Sequence, residues 1–216
     1  MDPPPPTVHR REALTLVVLS CAGLLGLAPS RGATFDPVAV LAWAALSAPA
    51  LGVLAGALLP ATTAPLVCLP WWPAVSAASL RAGAALPDPT GAWWALAGLF
   101  GLGWGAGRLS GRHAVRLACA ALLLTGLLAC LPGGGGRLAR PWPPRVAARL
   151  LDLSPVAVVT ECAGLDFMRH PEVYGPVGTM DIGPQLRGPW RAPVAAPSLL
   201  LLGAALAGLA RLRAAR

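Results

Sequence analysis

Residues 38–59 read VAVLAWAALSAPALGVLAGALL. No side chain in this stretch is charged, and a helix needs about 20 mostly apolar residues to cross the hydrocarbon of a bilayer. A surface helix of a soluble domain would carry charge on its watered face. The stretch therefore reads as a transmembrane span, with Gly52 and Gly56 at the spacing that lets helix backbones approach closely.

Working outward, the same pattern recurs. No charge lies between Glu12 and Arg31, between Asp88 and Arg108, between Arg116 and Arg137, or between Arg191 and Arg211. Over the whole chain 56% of residues are apolar and 12% charged, against about a quarter charged in soluble domains. Spans are expected at Ala13–Ala28, Val38–Leu59, Thr90–Gly107, His113–Leu131 and Pro197–Leu212. Ala28-Pro29-Ser30 makes a poor cleavage site, so the first run reads as an uncleaved span rather than a signal peptide. The stretch Thr62–Leu80 is ambiguous. Pro65, Pro70 and Pro73 each remove a backbone donor, and Trp71-Trp72 suits a membrane interface. It is either a kinked span or an interfacial loop.

The expected fold is an all-α transmembrane helix bundle of about six spans, or about five if Thr62–Leu80 stays at the interface. Its parts are a disordered tail at residues 1–12, spans within 13–132, a polar loop at 133–194, and a last span with an Arg-rich end at 195–216. With six spans, one side of the membrane holds Arg10, Arg11, Arg108, Arg112, Arg116, Arg211, Arg213 and Arg216. The short loops of the other side hold Arg31 and Arg81, which favours cytoplasmic termini by the positive-inside rule. Arg137, Arg140, Arg145 and Arg149 oppose it, from a loop of about sixty residues where the rule weakens. The five-span arrangement separates Arg10–Arg11 from Arg108–Arg116 and is less decisive.

All 17 basic residues are Arg. Without Lys there is no Walker phosphate loop and no Schiff-base chemistry. The arginines cluster at the ends of apolar runs, which argues for membrane orientation and against a nucleic-acid partner. Cys21, Cys68, Cys119 and Cys130 lie inside apolar runs and read, with Cys162, as small buried hydrophobes. Gly52, Gly56, Gly101 and Gly105 are candidate helix-packing positions, within the chain or in a homo- or hetero-oligomer.

The polar loop holds the residues with chemistry. Val146, Leu150 and Leu153 recur at helical spacing beside Arg145, Arg149 and Asp152, as in a helix lying on a membrane surface. Ser154-Pro155 then reads as an N-cap with proline in the first turn, opening a short helix that closes at Gly164. That helix is too short to cross, and dipping into the membrane requires protein to shield its backbone. Beyond it, Gly175-Pro176, Gly183-Pro184 and Gly188-Pro189 mark turns. The candidate functional residues are Glu161, Asp166, Arg169, His170, Glu172, Tyr174 and Asp181. Their carboxylates and imidazole suffice for acid–base work, and Cys162 with His170 for a nucleophile–base pair. No spacing is diagnostic, so Asp166–Arg169 pairing in a folded loop is the simpler reading. No enzyme activity, metal or cofactor is expected.

Three features resemble the membrane subunit of type-2 ABC exporters. Arg10-Arg11-Glu12 precedes the first span. Leu153-Ser154-Pro155 opens a short apolar helix after the fifth. Pro189-Trp190 and the run Leu199–Leu209 lead to an Arg-rich end. The resemblance implies six spans, short re-entrant helices before the last one, and a separate ATPase as partner. It also implies a bacterial inner (plasma) membrane. The chain departs from that pattern in being short, in its nearly abutting second and third spans, and in its polar, turn-rich stretch from Asp166 to Arg191. A membrane-bound enzyme with its site in residues 161–181, or a scaffold acting through its glycine faces, are the alternatives.

Overall fold

A computed structural model describes residues 37–60, 86–110, 113–134, 143–165 and 192–214, with single positions at 15, 67, 68, 71, 73 and 76. Among the described residues the protein is all-helical. The helices are α1 (Pro37–Leu58), α2 (Pro89–Ser110), α3 (Ala114–Gly134), α4 (Pro144–Leu153), α5 (Pro155–Cys162) and α6 (Ala192–Ala214). Three of them, over Val40–Leu58, Ala114–Leu131 and Val194–Arg213, are long and apolar enough to cross a membrane. The stretch Thr62–Leu80 and the first apolar run lie outside the described residues except at those single positions.

Helix α2 is as long as these, yet its glycines, tryptophans and Arg108 dilute its apolarity. It is the axis of the bundle. Ala92, Ala95, Leu96, Phe100 and Gly103 are buried, and α1 and α6 pack along its flanks. A side-chain carbon on Gly103 would meet the Pro49 carbonyl, and one on Gly107 the Val53 carbonyl. Gly52 and Gly56 make the reciprocal approach to Phe100 and Trp104. On the other flank Gly98 faces Ala196, Gly101 faces Leu200, and Gly105 faces Gly203. Small residues bring the backbones into contact and replace hydrophobic bulk with dense van der Waals packing.

These contacts also give direction. The partners of α2 rise in number as α2 does, on α1 and on α6 alike, so α1, α2 and α6 are mutually parallel. Helix α3 is antiparallel to them. Ala114 and Ala118 pack near Val53, and the Thr125 hydroxyl donates to the Leu46 carbonyl at 3.2 Å. Helix α1 therefore ends where α2 ends, and at that end the Arg108 guanidinium lies 3.5 Å from the Gly56 and Leu59 carbonyls. Towards the other end, the Trp93 indole donates to the Cys68 carbonyl at 3.2 Å. Arg108 and Trp93 are separated by about 22 Å of α2 at a rise of about 1.5 Å per residue. Midway, Trp71 is buried edge-on against Phe100, with centroids 5.9 Å apart.

The two ends of the bundle differ in charge. Among the described residues, the end where α2 and α6 finish carries Arg108, Arg116, Arg211 and Arg213 and no carboxylate. The opposite end carries Asp88, Arg145, Arg149, Asp152 and Glu161.

Candidate functional site

The carboxylate-bearing end is built around α4 and α5. Ser154 is fully buried at the corner between them, and its hydroxyl accepts from the Ala157 amide at 3.4 Å while Pro155 fills the first turn. Helix α5 ends in a Schellman arrangement: Leu165 N–H donates to the Thr160 carbonyl and Gly164 N–H to the Glu161 carbonyl, with Gly164 at φ 77°. Val156, Ala157, Val159 and Thr160 are buried, so protein shields the short helix on most sides.

The end of α5 abuts the start of α2. Asp88 N–H donates to the Ala163 carbonyl at 2.9 Å, and the Asp88 carboxylate accepts from Gly91 N–H at 2.7 Å. Gly91 lies so close to the Cys162 carbonyl that a side-chain carbon would overlap it. The negative terminus of one helix thus faces the positive terminus of another.

Of the candidate loop residues, Glu161 is half-buried in the last turn of α5. Asp166, Arg169, His170, Glu172, Tyr174 and Asp181 lie outside the described residues. Cys162 is buried, and that burial, with the carboxylates of Glu161 and Asp88 nearby, pushes its thiol up to about 12. It keeps its proton at neutral pH, which removes the thiolate a nucleophile needs. Cys119, Cys130 and Cys162 are free thiols; Cys119 and Cys130 are exposed, not buried as their apolar runs suggested.

Helix α4 has two apolar faces. Ala148 and Leu151 are buried against the bundle, while Val146 and Leu153 point outward, 41% and 62% exposed. Asp152, beside them, is turned inward: its side chain is 6% exposed and lies 3.9 Å from the Arg149 guanidinium, which is 68% exposed. The sequence placed Asp152 on a solvated face; its i, i+3 spacing to Arg149 was the available sign of pairing.

Beneath this pair runs an apolar cleft of about 630 Å³. Its floor is the α1–α2 contact at Pro49, Val53 and Gly103, one wall is α3 from Leu117 to Leu128, and Ala195 and Leu199 of α6 flank it near α4. Arg149, Asp152 and Pro155 close one end. No protein-family model, curated protein or solved structure matches the chain.

Proposed function

We propose that the chain is a six-span membrane subunit of permease type that works with a separate ATPase. The observation that carries this reading is α5, a helix too short to cross, buried among α1, α2 and α6 just before the last long helix. A short helix at that place is one of the three features through which the sequence resembles type-2 ABC exporter subunits, and shielding is the condition for non-spanning backbone at membrane depth.

The parallel packing supports the span count. If α1 and α2 both cross, the chain between Leu59 and Pro89 crosses back, despite its prolines. With the first apolar run, this gives six crossings and puts both termini on the side of Arg108 and Arg213. The arginine-only end is then cytoplasmic, and the segment from 135 to 191 starts and finishes on the outer side. The absence of Lys leaves ATP hydrolysis to another subunit. The glycine stripes support a permease subunit over a scaffold, because Gly52, Gly56, Gly101 and Gly105 all face helices of the same chain.

Topology reporters at Thr62, Leu86, Ser110, Gly178 and the C-terminus test the arrangement. Ser110 and the C-terminus are expected inside, Leu86 and Gly178 outside; Leu86 and Ser110 on one side would overturn it. Purification in mild detergent is expected to recover an ATPase, and reconstitution with no partner and no ATP hydrolysis would sink the transport role.

A further inference from the structure

We infer that the cleft holds one acyl chain of an anionic phospholipid from the leaflet on the α4 side, with its phosphate against Arg149 and Arg145. This rests on the chain lying in a bilayer, and not on the ATPase partnership.

The dimensions fit a single acyl chain. From Leu128 to Leu117 the α3 wall runs about 17 Å at about 1.5 Å per residue. Half of a hydrocarbon core of about 30 Å is about 15 Å. The cleft thus begins below the surface helix and runs through the bilayer midplane to the level of Ala106 and Leu117, so that a chain entering from the α4 side has its end in the far half.

Its opening faces hydrocarbon. Helices α3 and α6 flank the α1–α2 contact without packing along each other. Only 17% of each of their membrane-length windows is buried, against 56% for α1. Leu124 lines the cleft and is itself 56% exposed, next to Leu123 at 75%. An apolar volume open to acyl chains and roofed by a charged surface helix matches an amphiphile, apolar tail inward and polar head at the roof.

The roof selects the head. Arg149 and Arg145 are one helical turn apart on α4 and both exposed. Asp152 lies beneath Arg149, buried at the cleft end, and orients its guanidinium from below. A guanidinium fork pairs bidentately with phosphate. Basic residues at a membrane surface favour anionic lipid by about 1 kcal/mol each, or about fivefold.

The test uses the full chain in phosphatidylcholine nanodiscs without any ATPase. A small fraction of the lipid is phosphatidylglycerol, or in a second arm phosphatidylcholine, with a diazirine near the end of the acyl chain. After photolysis, peptide mapping is expected to place the phosphatidylglycerol label on Leu117 and Ala121 more heavily than on Leu123, and to find the choline probe weaker there by at least about fivefold. Ala120→Trp, an exposed cleft position, should abolish the label at Ala121 and leave that at Leu123. Arg145→Gln with Arg149→Gln should bring the two probes to parity. Equal labelling of Ala121 and Leu123, equal labelling by both probes in the unmodified chain, or a cleft label unmoved by Ala120→Trp would each overturn the inference. So would crosslinks showing another segment of the chain, or a second copy, filling the cleft.

Discussion

The carbonyl oxygen of Pro49 occupies the space that a side-chain carbon on Gly103 would need. Both partners are backbone, so neither can swing aside. Gly103→Ala is expected to destabilise the bundle by about 1–3 kcal/mol or more, as overpacking of a dense interior does. Gly126→Ala and Gly208→Ala, where nothing lies within 4 Å, are expected to be neutral or to stabilise by up to about 1 kcal/mol through helix propensity. Thermal unfolding of the three variants in the same detergent measures the difference. Equal midpoints would contradict the close approach of α1 and α2.

The Thr125 hydroxyl joins α3 to α1 through the Leu46 carbonyl while also lying 2.9 Å from the Ala121 carbonyl of its own helix. Thr125→Val keeps the shape and removes the donor. Because the hydroxyl has a local acceptor even without α1, the loss is expected to be small, about 0.6 kcal/mol, the average for such bonds in membranes. A double-mutant cycle with an α1 packing variant reads the coupling.

Helix α5 is held at both ends by local devices. Ser154→Ala removes the N-cap at a cost of about 1 kcal/mol. Gly164→Ala forces φ 77° on a residue with a side chain, against Pro87, at a further cost of about 1–2 kcal/mol. Hydrogen exchange is expected to rise across 155–165 in both variants before it rises in α1 or α2. Simultaneous loss of protection everywhere would mean that α5 is not a separable unit.

Cys162 carries a pH dependence of definite sign. The folded state holds its proton from the ordinary 9.0 up to about 12. The stability this represents is complete below about pH 9 and is lost as pH rises towards 12. Relative to Cys162→Ala, the unmodified chain is expected to lose stability across that window and not below it. In a variant keeping only Cys162, maleimide labelling at pH 8 is expected to be at least about a hundredfold slower folded than in denaturant. Fast labelling of the folded chain would overturn the buried, protonated thiol.

Much of the helix inventory was legible because it follows from charge gaps and caps. The stretch from Val38 to Leu59 anticipated α1, and Ser154-Pro155 with Gly164 bounded α5 by rules that operate within one turn. The start of α6 was less legible. The sequence puts the start of the last span at Pro197, yet the helix starts at Ala192. Direction was legible only through the span count: six spans make α1 and α2 parallel and five make them antiparallel. That they run parallel follows from which carbonyl each glycine meets. Burial of Asp152 was hidden for the same reason, since a carboxylate one turn from Arg149 looks solvated until the α3 wall is placed beside it.

The composition of α2 has a bearing on how the protein is made. On the proposed topology α2 gives up hydropathy for glycine contacts, so by itself it is a poor substrate for partition into lipid. Its α1 flank is covered as soon as it emerges, because α1 is already synthesised. Its α6 flank must wait for about a hundred further residues, some 5–20 seconds at ordinary elongation rates. During that interval Gly98, Gly101 and Gly105 present a bare backbone groove, and an insertase or chaperone that shelters small-residue helices would find its natural client there.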